Sequence, residues 1–356
     1  MGSKNKKLII IFVLLICIPI LLLVFLAVLR GCSNSYSYEE YEKKMISASQ
    51  KYAKNRKKLP KNNGDSVVIN LSDLEDKDYI KKATDVIKND SCTGTVTIKN
   101  NGGQYLYIPD LVCENHKTQH LIDTLLKDVV DSKDGLYKVN DGYVYKGAKV
   151  NNYVSINKKI YRIMSIDENN ILKLVYLKQD DKMYVWDRKY NVEKKQSVGK
   201  NDYTDSNMLD IINEKYEKIS DSEKKHFVSY NLCIGKRSKS NLAVNKDEEC
   251  SVILPNQFIG LLNTYDFAMA SYDIDCNSIK SGACQNYNYL HQSLGTTWLI
   301  NGLADNTYDV AYYSGGYIYY NMAYYSKKVH YVFYIDGNEI INKGDGSKDN
   351  PYVINN

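Results

Sequence analysis

The sequence predicts an α+β protein with three parts: an N-terminal transmembrane helix, a small α+β module, and a larger α+β domain rich in antiparallel strands. Three observations lead to this prediction. An uncharged apolar run fills residues 8–29, and a helix-spaced stretch and a hairpin signal follow it in residues 36–120. Short β-like segments separated by polar turns dominate residues 135–356. At 356 residues, the chain is long enough for two hydrophobic cores.

The predicted transmembrane helix covers residues 8–29. A helix needs about 20 apolar residues to cross the hydrocarbon of a bilayer, and this run has that length, which exceeds the apolar core of a cleaved secretory signal. Lys4, Lys6 and Lys7 precede it. Because positive residues tend to stay cytoplasmic, we expect residues 1–7 to form a cytoplasmic tail. The bulk of the chain would then lie outside a bacterial cell, held by a single-pass anchor.

The cysteines indicate disulfides. Apart from Cys17 within the predicted anchor and Cys32 at its edge, six cysteines fall along the chain as three close couples. No couple has the Cys-x-x-Cys spacing of a zinc site or a redox motif. Structural disulfides in an oxidising compartment are therefore expected. The predicted pairs are Cys92 with Cys113, Cys233 with Cys250, and Cys276 with Cys284. Leu29-Arg30-Gly31-Cys32 resembles a bacterial lipobox, which makes Cys32 a candidate for lipidation.

The predicted module at 36–120 begins with an amphipathic helix that should end near Leu59-Pro60. Its apolar residues recur with a 3-4-3-4 spacing, at Tyr38, Tyr41, Met45, Ala48 and Tyr52. Further on, Asn100-Asn101-Gly102-Gly103 is a strong hairpin signal between two β-like segments. Folding about this turn brings Cys92 almost opposite Cys113, so their bridge would close the open end of the hairpin.

A linker helix over 121–134 is predicted to lead into the larger domain at 135–356. Most of this domain should be strands, with helices over Asp205–Ile219 and Thr264–Ala270. The predicted strands are Gly142–Gly147, Tyr153–Ile156, Ile160–Ile166, Ile171–Leu177, Tyr308–Tyr313, Tyr317–Tyr324, Val329–Ile335 and Tyr352–Ile354.

Two resemblances accompany these elements. The order of an apolar helix, an amphipathic helix and a disulfide-closed sheet over residues 8–122 resembles type IV pilins and pseudopilins, although the apolar run has no glutamate near its start. Segments 142–147, 160–164 and 260–266, with the ending 344–354, resemble an uncharacterised extracytoplasmic domain of low-GC Gram-positive bacteria. That domain looks similar to C-type-lectin-like and formylglycine-generating-enzyme-like folds. This resemblance implies a location and a shape, and no activity.

The segment from Ala311 to Tyr325 is the strongest candidate for a binding site. Its mixture of Tyr, Ser, Gly and Asn is typical of binding surfaces, where tyrosine gives broad amphipathic contact at a small entropic cost. Strand alternation would place Ile318 and Tyr320 on the core face. The residues predicted to meet a ligand are Tyr317, Tyr319, Asn321 and Tyr325, with Trp298 as a neighbour. Ordinary cross-strand pairing in a tyrosine-rich chain is the alternative.

Other kinds of chemistry have little support in the sequence. The net charge of +5 over 356 residues does not suggest nucleic-acid binding, and the five histidines lack metal-ligand spacing with cysteine or acidic residues. We find no catalytic motif and predict no cofactor and no metal. The first hypothesis is therefore a non-catalytic surface protein that binds a glycan, a wall polymer or a protein. A minor pseudopilin-like component of a secretion or uptake apparatus, and an envelope enzyme with an unrecognised site, are the alternatives.

Overall fold

The computed structural model describes residues 35–87 and 90–354. These residues form two compact units. The first comprises residues 35–59, 67–87, 90–97 and 109–117, and the second comprises residues 60–66, 98–108 and 118–354.

The predicted transmembrane helix is not supported, and the fold class is corrected. Within the described ranges, no helix is long and apolar enough to cross a membrane. The longest one, over Tyr38–Asn55, is amphipathic and carries Glu39, Glu40 and Lys54 near its ends, and such charges are costly inside hydrocarbon. The predicted span 8–29 and the lipidation candidate Cys32 both lie outside the described residues. The structure is therefore an α+β fold made mostly of strands, and the single-pass membrane location is withdrawn.

Up to residue 117, one long helix is followed by short helices and three strands. The helices are α1 (Tyr38–Asn55), α2 (Leu71–Glu75) and α3 (Ala83–Val86), and the strands are β1 (Ser66–Asn70), β2 (Cys92–Asn101) and β3 (Gln104–Cys113). Helix α1 begins in a capping box, in which the Ser37 hydroxyl accepts from the Glu40 N–H and the Glu40 carboxylate accepts from the Ser37 N–H. It ends at Asn55, short of the predicted Pro60, because Lys57 adopts a left-handed φ of 52°.

The predicted buried face of α1 is confirmed for Tyr41, Met45, Ala48 and Tyr52, each at most 3% exposed. The predicted hairpin is confirmed as well. Strands β2 and β3 are joined by Gly102 and Gly103, whose φ values of 61° and 90° fit a type I′ turn.

A ten-stranded, mostly antiparallel sheet is the centre of the second unit. Its main path is β13-β18-β9-β8-β6-β5-β4, and β7, β20 and β19 continue from β8 in that order. Its strands are β4 (Val129–Val130), β5 (Gly135–Val139), β6 (Gly142–Lys146), β7 (Tyr153–Ile156), β8 (Lys159–Asp167), β9 (Ile171–Tyr176), β13 (Ile259–Leu261), β18 (Tyr331–Asp336), β19 (Ile341–Lys343) and β20 (Tyr352–Ile354).

Short helices and smaller sheets surround this sheet. The helices are α4 (Leu121–Leu125), α5 (Asn207–Glu217), α6 (Asp221–Lys224), α7 (Thr264–Met269) and α8 (Tyr289–Ser293), and one-turn 3₁₀ helices occur at Leu126–Asp128, Tyr203–Asp205, Glu249–Ser251 and Gly282–Gln285. The remaining strands are β10 (Tyr184–Val185), β11 (Tyr230–Cys233), β12 (Ile253–Gln257), β14 (Thr297–Gly302), β15 (Asp309–Ser314), β16 (Tyr317–Met322) and β17 (Ser326–Lys327). Strands β14, β15 and β16 form a three-stranded antiparallel sheet with β16 at its edge.

The predicted linker helix is shorter than expected. The α-helix ends at Leu125 and gives way to a 3₁₀ turn and then to strand β4, which pairs in parallel with β5. The sequence Lys127-Asp128-Val129-Val130 explains the change, because adjacent valines favour a strand over a helix end.

All three predicted disulfides are confirmed: Cys92–Cys113, Cys233–Cys250 and Cys276–Cys284. Each one closes a short stretch of chain, with sequence separations of 21, 17 and 8 residues. Such bridges stabilise a fold mainly by restricting the unfolded chain.

Candidate functional site

The tyrosine-rich segment forms the β15–β16 hairpin. Gly315 and Gly316 make its two-residue turn, with φ values of 56° and 92° that fit a type I′ turn. The turn fixes the register, so Ser314 pairs with Tyr317 and Tyr312 pairs with Tyr319. Because side chains alternate along a strand, Tyr312, Tyr317 and Tyr319 share one face of the hairpin.

Two tyrosine rings on this face are open to solvent. Tyr317 is 42% exposed and Tyr319 is 46% exposed, whereas Ile318 between them is 3% exposed. This is the alternation that the sequence predicted for the start of the strand. The two ring centroids lie 6.2 Å apart, and neither hydroxyl has a hydrogen-bond partner among residues 35–87 and 90–354. Both hydroxyls are thus free to bind a ligand.

Tyr312 continues the row toward the centre of the small sheet. Its ring stacks on Tyr319 at a centroid distance of 5.5 Å and an interplanar angle of 27°. On its other side, Trp298 of β14 meets it edge to face at 6.0 Å. Offset and edge-to-face contacts of this kind stabilise aromatic pairs. We call Tyr312, Tyr317 and Tyr319 the tyrosine platform.

Trp298 supports the platform and does not contact solvent. The sequence placed it beside the ligand, but its side chain is fully buried and its indole N–H donates to the Tyr184 carbonyl at 2.9 Å. Strand β14 is buried along its whole length, so both of its faces are covered. A direct ligand contact by Trp298 is therefore ruled out in this conformation.

Asn321 and Tyr325 also depart from the predicted site. The Asn321 side-chain oxygen accepts from the Met322 N–H at 2.9 Å, so this amide turns back on its own strand. Tyr325 is 43% exposed, but it lies in the turn after β16 and packs on Tyr324 at 4.3 Å. The structure thus brings together Tyr317 and Tyr319 of the predicted residues, and it adds Tyr312.

A lysine covers the inner end of the platform. The Lys327 ammonium lies 3.8 Å from the centroid of Tyr312 and 5.0 Å from that of Trp298. A cation over an aromatic face is attracted by the ring quadrupole. Burial lowers the pKa of Lys327, because removal of water disfavours the charged amine.

A groove runs along the free edge of β16. It has a volume of about 430 Å³, and its lining consists of Tyr317, Ile318, Tyr319 and Tyr320 with Lys239, Lys280 and Asp309. We call it the edge groove. It shares Tyr317 and Tyr319 with the platform, so the two features form one continuous surface.

Polar groups border the same face of the hairpin. Ser314 shares a hydrogen bond of 2.8 Å with the Thr296 hydroxyl, and the Gln179 amide donates to the Thr296 carbonyl at 3.5 Å. Thr296 is exposed, and Ser314 is half-buried. Exposed rings next to hydroxyl and amide groups form a surface that can bind a molecule with apolar faces and a polar edge.

A second cleft lies elsewhere in the second unit, beside β6, β8 and β9, with a volume of about 620 Å³. Four of its charged groups form two ion pairs, since the Lys173 ammonium contacts both oxygens of Asp266 at 2.6 and 2.7 Å, and Lys246 pairs with Asp141. Burial raises the pKa of Tyr265 in its wall to about 12, so that phenol stays protonated at neutral pH. Tyr265 is therefore a hydrogen-bonding group of this cleft and not an activated nucleophile.

The histidines and the metal-ligand candidates have structural roles. All five histidine rings bond to a protein group: Glu42 for His116, the Asn338 carbonyl for His120, Glu339 for His226, Tyr313 for His291 and the Tyr176 carbonyl for His330. Asp90, Cys92 and Cys113 form the one cluster of potential metal ligands found within the described ranges. The Cys92–Cys113 disulfide uses both thiols, so this cluster cannot supply thiolates.

Comparison with known proteins finds no matching family model, no matching curated protein and no matching solved structure. The resemblances to pilins and to the extracytoplasmic domain therefore stay predictions, supported by their motifs alone.

Sequence reasoning missed Tyr312, Lys327, Lys239 and Lys280 as members of this surface. The signal for Tyr312 was present, because the Ser314-Gly315-Gly316-Tyr317 turn alone implies the pairing of Tyr312 with Tyr319. The lysines come from distant parts of the chain, and only the fold brings them to the hairpin.

Proposed function

We propose that this protein is a non-catalytic binding protein that holds a glycan on the tyrosine platform. The observation that carries this proposal is the row of exposed rings at Tyr317 and Tyr319, with both hydroxyls unbonded within the described chain. The C–H face of a pyranose ring is apolar and can pack on such rings, while its hydroxyls bond to the phenols, Ser314 and Thr296. Tyrosine suits this task because it is broad, amphipathic and loses little entropy on binding.

The cysteines support the same function. Three disulfides are typical of proteins that work in oxidising compartments, where cell-wall glycans and polymers also occur. The alternatives from the sequence, a pseudopilin-like component and an enzyme, gain no comparable observation from the fold.

A glycan array followed by calorimetric titration of the full chain tests the proposal. We expect at least one wall-type oligosaccharide to bind. The double variant Tyr317→Ala/Tyr319→Ala should lose about tenfold or more in affinity, because it removes two stacking surfaces. The matched variant Tyr317→Phe/Tyr319→Phe keeps the rings and should retain more of the affinity than the alanine variant.

Two controls locate the binding site. Tyr190 and Tyr287 are 55% and 52% exposed and lie outside the platform, so Tyr190→Ala/Tyr287→Ala should bind like the wild type. Tyr265→Phe, in the 620 Å³ cleft, should also leave binding unchanged. Absence of glycan binding, binding of a protein ligand alone, or equal binding by the alanine double variant and the wild type would overturn the proposal. Loss of binding in Tyr265→Phe would move the site to the cleft.

A further inference from the structure

The three lysines around the platform have no ionic partner among the described residues, in contrast to Lys159, Lys173 and Lys215 of the same unit. Lys159, Lys173 and Lys215 each contact a carboxylate oxygen at 2.6–2.8 Å. In contrast, no carboxylate oxygen of the described residues lies within 4.0 Å of the ammonium groups of Lys239, Lys280 or Lys327. These three amines are therefore free to meet an anion.

Lys327 is the clearest case, because it is half-buried. The rings of Tyr312 and Trp298 lie 3.8 and 5.0 Å from its ammonium and displace part of its water. A partly dehydrated cation without an ionic partner is less stable than a paired one, and burial accordingly lowers the pKa of Lys327. An anionic group placed over this end of the platform would stabilise the charge.

Lys239 and Lys280 form the cationic part of the edge groove, on the other side of Tyr319. Both are exposed, and the Lys280 ammonium lies 5.4 Å from the Tyr320 ring. The groove also contains Asp309, whose carboxylate accepts from the Asn306 amide at 2.8 Å. Nearby Asp305 accepts from the Lys239 N–H at 2.6 Å. Both carboxylates accept from donors other than the two ammonium groups, so Lys239 and Lys280 stay available to an anion.

Amines thus flank the exposed rings on both sides. Lys327 lies over Tyr312, which belongs to the middle strand β15. Tyr319 lies beside Tyr312 on the edge strand β16, and it also lines the edge groove with Lys239 and Lys280. Adjacent strands are about 4.8 Å apart, so a chain of a few sugar units lying across the hairpin would reach both cationic ends. From this arrangement we infer that the glycan bound by the platform is acidic, with carboxylate or phosphate groups along its chain. This inference rests on the proposed function.

The test uses the full chain and probes that differ only in charge. An oligogalacturonate is the carboxylate probe, its methyl ester is the neutral match, and a glycosylated poly(glycerol phosphate) is the phosphate probe. We expect one of the two acidic probes to bind about tenfold or more tightly than the neutral ester at low salt. This preference should shrink at about 0.5 M salt, because charges more than a few ångströms apart are then screened from each other. The probe that binds better identifies the anion.

Paired variants separate this inference from the proposed function. Lys239→Gln/Lys280→Gln and Lys327→Gln should each lower the affinity for the acidic probe by a larger factor than the affinity for the neutral ester, so that the preference shrinks. Lys149→Gln/Lys348→Gln changes two exposed lysines outside the groove and should keep the full preference. Equal binding of acidic and neutral probes would overturn this inference and leave the proposed function intact. Binding of none of the probes, together with an empty glycan array, would overturn both.

Discussion

Tyrosines of the ten-stranded sheet and tyrosines of the platform differ in what their hydroxyls do. Tyr161 and Tyr331 are both 1% exposed, and their hydroxyls donate to Glu223 at 2.8 Å and to Asp180 at 2.6 Å. Tyr317 and Tyr319 are more than 40% exposed, and their hydroxyls have no partner among the described residues. Tyr161 and Tyr331, with hydrogen-bonded hydroxyls, are therefore part of the core. Tyr317 and Tyr319, with unbonded hydroxyls, are free to bind a ligand.

Ring contacts show the same difference. Tyr161 lies within 5.1–6.2 Å of three other rings, those of Tyr176, Phe227 and Phe333. Tyr319 has ring neighbours only along its own face, Tyr312 and Tyr317, among the described residues. A ring surrounded on several sides contributes to stability, whereas a ring with one open face retains a surface for binding.

The largest expected effect follows removal of a core ring. Tyr161→Ala should lower the free energy of unfolding by about 3–5 kcal/mol, because it leaves a cavity among three aromatic rings. Urea unfolding followed by circular dichroism measures the change. A loss below about 1 kcal/mol would contradict the role assigned to this ring.

Removal of the hydroxyl alone should cost less. Tyr161→Phe keeps the ring but leaves the buried Glu223 without one of its donors, while the Lys159 ammonium still contacts it at 2.7 Å. We expect a loss of about 1–3 kcal/mol in the free energy of unfolding, measured in the same way. Equal losses in the alanine and phenylalanine variants would show that the hydrogen bond, and not the ring, dominates.

Asp180, which accepts from the Tyr331 hydroxyl, makes the stability of the fold depend on pH. Burial alone would raise its pKa, but hydrogen bonds from Lys215, Tyr331 and Tyr184 outweigh burial and hold the pKa below the usual 3.8. A carboxylate with a lowered folded-state pKa contributes stability above its unfolded pKa, and this contribution is lost as the pH falls through the folded value.

We therefore expect Asp180→Asn to be less stable than the wild type near pH 6 and the difference to shrink below pH about 4. Urea midpoints across a pH series measure it. A difference that stays constant down to pH about 2 would contradict the assigned coupling.

The smallest effect on stability is expected at the platform. Tyr317→Ala and Tyr319→Ala should each lower the free energy of unfolding by no more than about 1 kcal/mol, because both rings are more than 40% exposed, their hydroxyls are unbonded and only ring contacts are lost. The urea unfolding assay used for Tyr161→Ala measures this. If either variant lost about 2 kcal/mol or more, the row would be structural, and ordinary cross-strand pairing would explain it.

The sequence allowed much of the local structure to be predicted. Helical spacing identified α1, the Gly102-Gly103 turn identified the β2–β3 hairpin, and nearness in the chain identified all three disulfides. These features depend on interactions between residues close in sequence, so a single chain is enough to predict them.

Non-local packing explains what the sequence did not reveal. Alternation placed Tyr317 and Tyr319 outward, but it could not show that both faces of β14 are covered, which buries Trp298. Lys327 reaches Tyr312 from β17, a two-residue strand with no distinctive pattern. The predicted transmembrane helix at 8–29 lies outside the described residues, and no described helix is long and apolar enough to cross a membrane.

Ligand protection of tyrosines from nitration tests the central claim most directly. Tetranitromethane modifies accessible phenols, and mass spectrometry of peptides from the full chain reports each one. Without ligand, Tyr190, Tyr287, Tyr317 and Tyr319 should react, and buried Tyr161 should not. With a glycan selected from the array, we expect protection of Tyr317 and Tyr319 but not of Tyr190 and Tyr287. Unchanged nitration of Tyr317 and Tyr319 at saturating glycan would contradict the claim that these rings form the binding surface.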